Sequence, residues 1–161
     1  RLVAGRESLA LETVQGDMRD LSAFASESFD LVFHPVSNLF VPEVRPVWLE
    51  AFRVLRRGGT LLAGFLNPAV YIFDLDLADS TGELRVKYAL PYDAATSLSE
   101  EELKGQVERG EPLEFSHTLE DQIGGQTEAG FLISGLYEDH HRDDPIAAHM
   151  PTYVATRAIK P

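Results

Sequence analysis

The sequence contains no cysteine. This absence excludes a disulfide framework, a thiolate nucleophile and a cysteine-ligated zinc site. Basic residues are also scarce, because 14 Lys and Arg stand against 26 Asp and Glu, which gives a formal net charge of −12. Such an acidic chain repels a phosphate backbone, and Arg56-Arg57 is the largest basic cluster. We therefore predict that the protein has no nucleic-acid partner.

Long apolar runs are missing as well. The longest, such as residues 60–66, fall far short of the roughly 20 residues that a membrane helix requires. We expect no membrane partner and, by default, a cytoplasmic location. The chain opens at Arg1 without Met or a signal-peptide pattern, so we expect a piece of a longer protein. The composition, with 44% hydrophobic and 25% charged residues over 161 positions, is typical of a single globular domain.

The first half of the chain reads as strand, strand, helix, strand. An apolar stretch at 9–14 runs into Gly16-Asp17 and predicts a strand that ends at a loop. Residues 29–33 place large apolar side chains on both faces, which predicts a buried strand covered on both sides. A helix is predicted over 42–57, stopped by Gly58-Gly59, and a second apolar strand over 60–66. The apolar stripe of the predicted helix comprises Val44, Val47, Trp48, Ala51, Phe52 and Leu55.

The second half begins with a segment of different character, residues 69–116, which we interpret as an insertion. The alternation over 84–90 predicts a half-exposed antiparallel strand. Ser99 with Glu102 forms a capping-box pattern for a helix that ends at Gly110. A second box, Thr118 with Asp121, opens a helix that closes at Gly130, and its Gly124-Gly125 pair suggests a close approach of another group. Two final strands are predicted at 131–137 and 152–159.

The order of these parts resembles a known family. Three segments carry the resemblance to the class I S-adenosylmethionine-dependent methyltransferases. They are Gly16-Asp17-Met18, Ser28-Phe29-Asp30-Leu31-Val32, and the helix end at 53–62 with sequence RVLRRGGTLL. The resemblance implies an α/β fold with a Rossmann-like sheet in the order 3-2-1-4-5-7-6 and an antiparallel last strand. It implies that the chain begins before the third strand, so that residues 1–161 are a single α/β domain lacking its first two strands.

The resemblance also implies a cofactor site for S-adenosylmethionine. Asp17 would accept a hydrogen bond from the adenine amino group, and Met18 and Arg19 would flank the ring. His34, Pro35 and Val36 follow the fourth strand, where the family binds the methionine part of the cofactor. Ligands of open α/β sheets lie outside the carboxyl ends of the strands, which agrees with that position.

Candidate catalytic and substrate residues follow from the same placement. His34 is the candidate general base for an acceptor that carries a proton, with Asn38 beside it. Asn67, Tyr71 and Tyr88 are candidate substrate contacts, and the insertion at 69–116 would act as a substrate lid or form a small core of its own. The acceptor is expected to be a small molecule. Adjacent histidines in the loop 138–144 point apart, so we predict no metal site.

One element of the family pattern is absent from the sequence. There is no glycine-rich loop after a first strand and no acidic residue that ends a second strand. Two alternatives therefore stay open. The chain could be a non-catalytic, methyltransferase-like remnant or oligomerisation fragment, for example a homodimer, or it could bind a nicotinamide or another nucleotide. Because the first two strands of the family's sheet lie between its third and fourth, a strand at 9–16 would also lack a neighbouring strand.

Overall fold

The fold was analysed on a computed structural model, which describes residues 5–7 and 10–161. Four strands form one mixed sheet: β1 is Phe29–Pro35, β2 is Leu55–Leu66, β3 is Leu132–Asp139 and β4 is Tyr153–Ile159. Their spatial order is β1-β2-β4-β3, with β1 parallel to β2 and β4 antiparallel to both neighbours. This order corresponds to strands 4-5-7-6 of the predicted sheet and confirms the α/β fold class.

One face of the sheet is covered by helix α1, Arg45–Val54. The apolar stripe predicted for this helix packs against alternate residues of the central strands, because Leu61, Ala63 and Ala158 share one face of the sheet. Trp48 is fully buried at the centre of this core, and its indole Nε1 donates to the carbonyl of Asp121 at 3.0 Å. The helix therefore fixes the face on which the site is built.

The opposite face of the sheet is open in the part of the chain that the structure describes. Leu31 and Phe33 of β1 and Leu132 and Tyr137 of β3 are all more than half exposed. The prediction that strand 29–33 is covered on both sides is therefore wrong. Strand β1 hydrogen-bonds to β2 on one side, and among the described residues nothing pairs with its other edge. Only the face that carries Val32 and His34 packs inward.

The strand predicted at 9–14 is also wrong for its described residues. Residues 10–16 form no regular secondary structure and are exposed, while Leu9 lies outside the described residues. An extended segment becomes a strand only when a neighbour supplies hydrogen bonds, and within the described chain this segment has no such neighbour in the sheet. Its side of the sheet therefore ends at β1.

The predicted helix 42–57 is shorter than its pattern suggested. Helix α1 ends at Val54, and Gly58-Gly59 lie inside the long strand β2 rather than at a helix stop. Gly58 has a φ of +78°, and a Cβ on Gly59 would lie 2.8 Å from the Arg56 carbonyl oxygen. The glycines thus permit an irregular strand start. At the end of α1, the buried ammonium of Lys160 donates hydrogen bonds to the carbonyl oxygens of Phe52 and Leu55 at 3.0 and 2.7 Å.

The segment between β2 and β3 contains short helices. These are α2, Leu75–Thr81; α3, Ala94–Ser97; α4, Glu100–Glu108; and α5, Gly125–Glu128, which continues from a π-helical turn, Glu120–Gly124. The predicted capping box of Ser99 with Glu102 forms in full. The second forms only in part: Thr118 Oγ1 accepts from Asp121 N, but Asp121 Oδ2 accepts from the Thr118 hydroxyl. The strand predicted at 84–90 does not form, because its one sheet-like pairing among the described residues is an isolated antiparallel bridge between Val86 and Phe73.

Helix α5 closes over the sheet at the glycine pair. A Cβ on Gly125 would lie 2.9 Å from Cδ1 of Trp48, which is the close approach that the pair suggested. Gly130 follows with a φ of +108° and leads into β3. Over residues 5–7 and 10–161, no helix is long and apolar enough to cross a membrane.

Candidate functional site

The two residues predicted to be catalytic come together at the carboxyl end of β1. His34 is the penultimate residue of the strand, and Asn38 opens the 3-10 turn Asn38–Phe40 that follows it. Nε2 of His34 donates to Oδ1 of Asn38, while Ser37 Oγ lies 3.3 Å from the same nitrogen. The turn after β1 therefore holds the imidazole by its Nε2 edge.

Asn38 belongs to a buried polar network that runs across the core. Its Nδ2 donates to Gln122 Oε1 at 2.7 Å, and its backbone carbonyl accepts from His117 Nε2 at 3.0 Å. Gln126 then donates to the carbonyl of Gln122 at 2.8 Å and accepts from the Thr156 hydroxyl at 2.9 Å. Because both ends of the Asn38 amide are engaged and the residue is 1% exposed, its side chain is fixed in one orientation.

The environment of His34 favours the neutral imidazole. Burial lowers its pKa below the ordinary value, and the hydrogen bond to Asn38 opposes that shift only in part. The ring packs edge-on against Trp48 with centroids 5.7 Å apart. Since Asn38 Oδ1 can only accept, the neutral ring carries its proton on Nε2 and keeps a lone pair on Nδ1. His34 can therefore accept a proton at Nδ1.

Val36, in the turn just beyond β1, has an unusual backbone. Its φ is +34°, although it is β-branched, and its N–H donates to the carbonyl of Gly64 at 2.8 Å. A β-branched residue in this region is a true conformational outlier that costs about 1–3 kcal/mol, and such strain clusters at ligand sites. The strain thus falls on one of the residues predicted to bind the cofactor, next to Pro35.

Asp17 and Arg19 form an exposed ion pair in the loop before β1. The guanidinium of Arg19 contacts both carboxylate oxygens of Asp17, and its backbone N–H donates to Oδ1 at 2.8 Å. These hydrogen bonds lower the pKa of Asp17 to about 2. Met18 packs at the edge of the main core. Asp17 is therefore ionised at neutral pH, and its side chain remains 45% exposed.

Two side chains of α1 hold the rest of that loop in place. Glu50 accepts from the backbone N–H of Leu21 at 2.7 Å, and Arg53 donates to the carbonyls of Leu21 and Phe24 at 2.8 and 3.0 Å. The Arg53 guanidinium also hydrogen-bonds Glu50 and lowers the pKa of that carboxyl. The loop is thus fixed to the helix although residues 10–16 before it form no strand.

The predicted substrate residues separate into two groups. The side chain of Asn67 hydrogen-bonds to the backbone: Oδ1 accepts from Ala69 N, and Nδ2 donates to the Pro151 carbonyl, both at 3.1 Å. Tyr71 and Tyr88 instead both pack against Tyr92 and line a cavity of about 680 Å³ within the segment 69–116. The structure brings the two tyrosines together and leaves Asn67 out of that cavity lining.

The comparisons with known proteins agree with this geometry. Residues 1–63 match the family model described as a methyltransferase domain. The uncharacterized methyltransferase YbaJ of Bacillus subtilis (strain 168) is 48% identical over 160 residues, which cover 99% of this chain and 62% of that protein. The chain thus spans less than two thirds of its curated relative.

These matches make the chain similar to methyltransferases. Solved structures share its fold at low sequence identity. An S-adenosylmethionine-dependent methyltransferase from Mesorhizobium loti matches with a TM-score of 0.65 and 16% identity, over 98% of this chain and 74% of the other. The cyclase SpnF matches with a TM-score of 0.59 and 18% identity, over 99% and 60%. A fold shared with a cyclase does not define the reaction.

Several residues of this site were not evident from the sequence. Gln122 and Gln126 are both buried, and their side chains bind Asn38 and Thr156. His117 gave no signal, since it only precedes the second capping box. Glutamines spaced at i and i+4 beside a glycine pair are the one available clue to a buried polar helix face. Among residues 5–7 and 10–161 there is no group of three metal-ligating side chains.

Proposed function

We propose that the protein is an S-adenosylmethionine-dependent methyltransferase that acts in the cytoplasm on a small molecule by in-line transfer. One observation carries the proposal: a strained Val36 follows a half-buried His34, whose pKa burial lowers, at the carboxyl end of β1. That edge of an α/β sheet is where ligands bind. The similarity to methyltransferases supports the reaction type, and the acidic net charge favours a small-molecule acceptor over nucleic acid.

The residues before and after β1 fit the cofactor. Asp17 presents an ionised, half-exposed carboxylate that can accept from an exocyclic amine, and the thioether of Met18 suits an aromatic ring. Arg19 would hold that carboxylate in place. Pro35 and Val36 would form the wall for the methionine part, because their backbone is fixed by the Val36-to-Gly64 hydrogen bond.

The chain's own residues would orient the acceptor and receive its proton. S-Adenosylmethionine, when bound, supplies an electrophilic methyl group. His34 would take a proton at Nδ1 from an acceptor that carries one, since its Nε2–H is committed to Asn38. Asn38 is a positioning residue in this scheme, because its amide is buried and links His34 to Gln122. Tyr71 and Tyr88 would contact the acceptor from the segment 69–116.

Binding of S-adenosylhomocysteine to the full chain tests the cofactor assignment. We expect Asp17→Ala to weaken binding about tenfold, because a charge-assisted hydrogen bond contributes about 1.5–3 kcal/mol. Asp20→Ala is the matched control, since its carboxylate lies in the same loop but accepts from Ser22 N. Calorimetric titration of the three proteins gives the dissociation constants. Equal affinity in all three, or no binding to the wild type, would contradict the proposal.

A second candidate function is self-association without catalysis. The observation that favours it is the open sheet face, where Leu31, Phe33, Leu132 and Tyr137 are exposed. Exposed apolar side chains on a sheet face can form an interaction site, and a second copy could cover them. Sedimentation velocity separates the candidates. A dimer that dissociates in Phe33→Ser, combined with no binding of S-adenosylhomocysteine, would favour self-association over methyl transfer.

A further inference from the structure

The segment 69–116 contains a cavity. It lies between helices α2 and α4, has a volume of about 680 Å³ and is open to solvent. Pockets that bind small organic ligands typically measure about 300–1,000 Å³. Both tyrosines predicted to contact substrate are part of its lining.

One wall of this cavity is aromatic. Tyr71 and Tyr92 stack with centroids 5.2 Å apart, and Tyr88 meets Tyr92 edge-on at 5.0 Å. Tyr71 is fixed by its hydroxyl, which donates to Glu114 at 2.9 Å, and burial raises the pKa of Tyr92 to about 12. The rings therefore hold one another in place, and a fixed aromatic wall attracts cations through its π-face.

The remaining lining is strongly acidic. Seven of the lining residues are carboxylates, against the single guanidinium of Arg109, which is paired with Glu111 at 2.7 Å. The other six carboxylates are Asp74, Asp76, Asp79, Glu101, Glu102 and Glu114. Asp79 and Glu101 are exposed, and neither forms an ion pair among the described residues. A concave surface of one charge sign focuses its field on a ligand of the opposite sign.

An ammonium group of the chain itself already occupies the margin of this environment. Nζ of Lys87 lies 4.9 Å from the centroid of the Tyr88 ring, 3.2 Å from Glu102 and 3.5 Å from Asp74. A hydrogen bond to Tyr88 is the main cause that raises the pKa of Lys87. The same combination of ring and carboxylates therefore stabilises an ammonium cation, and more carboxylates remain around the cavity than Lys87 neutralises.

We propose that this cavity is a binding site for a small organic ligand that carries an ammonium group. Its cationic head would lie against Tyr88 and Tyr92, facing the carboxylates of Asp79 and Glu101. Binding of such a ligand does not require that the ligand be methylated.

The cavity also adjoins the candidate active site. Tyr71 lines both this cavity and a much smaller void that is bordered by Val36, Asn38 and His117. Resting on the proposed function, the ligand of the cavity would be the methyl acceptor, or the part of it that carries the charge. Tyr71 would then separate the cationic head from the reacting end.

Three ligands of one shape test the charge requirement: choline, the neutral 3,3-dimethylbutan-1-ol and the anionic 3,3-dimethylbutanoate. We expect choline to bind the full chain and the neutral alcohol to bind at least about tenfold more weakly, with no binding of the anion. Ring-proton shifts of the tyrosines in NMR titrations, without cofactor, report binding. Equal affinity for choline and the alcohol, or no binding of choline, would overturn the proposal.

Matched variants locate the site. Asp79→Asn/Glu101→Gln should weaken choline binding about tenfold, since it removes two unpaired carboxylates from the cavity lining. Glu138→Gln/Asp143→Asn makes the same change of net charge at two exposed positions, one at the end of β3 and one in the loop after it, and should leave binding unchanged. Equal weakening in both double variants would overturn the assignment. Failure of S-adenosylhomocysteine to bind would contradict the proposed function while leaving choline binding intact.

Discussion

The sheet layer, made of β1–β4 with α1 and α5, differs in construction from the segment 69–116. The sheet layer is held by ladders between residues far apart in sequence and by one core around Trp48. The segment 69–116 has isolated bridges, capped short helices and a separate small cluster around Tyr71 and Tyr92. The first region gains its stability from apolar burial, whereas the second leaves polar groups and empty space for a ligand.

The largest effect should come from truncation of the sheet core. Trp48→Ala removes a fully buried side chain, its hydrogen bond to Asp121 and its packing on Gly125. We expect the free energy of unfolding to fall by about 3–5 kcal/mol, as measured by urea denaturation followed by circular dichroism. Leu49→Ala is the control, because that neighbouring side chain is 57% exposed. A similar loss in both variants would refute the central place of Trp48.

A smaller effect should follow removal of a cap in the segment 69–116. Ser99→Ala deletes the capping box with Glu102 at the start of α4, which we expect to cost about 0.5–2 kcal/mol. Hydrogen exchange should accelerate at the first amides of α4 and remain unchanged in β2 and β4. Ser80→Ala, near the end of α2, is the control. Faster exchange throughout the sheet would mean that the two regions are not stabilised separately.

The smallest effect concerns the pH dependence of stability. Burial lowers the pKa of His34 in the folded state, so the unfolded chain takes up a proton first as the pH falls below about 6.5. The free energy of unfolding should therefore decrease from neutral pH towards the lower folded-state pKa, and His34→Gln should reduce this slope. His140→Gln, in an exposed loop, should not. An unchanged slope in His34→Gln would contradict the lowered pKa of the half-buried imidazole.

Much of the sheet could be predicted from the sequence, because apolar periodicity and strand spacing act locally. The stripe of α1 and the capping box at Ser99 follow from such patterns, whereas the strand order is what the family resemblance implied. The open face of β1 could not be foreseen, since Leu31 and Phe33 read as core residues whether or not a layer covers them. Gly58-Gly59 likewise has the same pattern at a helix end and in an irregular strand.

The site was less predictable, because its polar contacts join distant segments. Lys160 reads as a surface charge, yet its ammonium meets the end of α1. Gln126 and Thr156 are 30 positions apart and become partners only when α5 packs on β4. The acidic cavity likewise forms only where α2 and α4 come to line the same space. The contact between His34 and Asn38 was easier to foresee, because both residues lie at the carboxyl end of one recognisable strand.

One NMR experiment tests the division between the two regions most directly. S-Adenosylhomocysteine and choline are added separately to the 15N-labelled full chain, and the shifted amides are mapped. The account predicts that the first ligand shifts residues 17–19 and 34–38, whereas choline shifts residues around Asp79, Tyr88 and Glu101. Shifts from both ligands in one common set of residues, or none at 17–19 and 34–38 with S-adenosylhomocysteine, would contradict it.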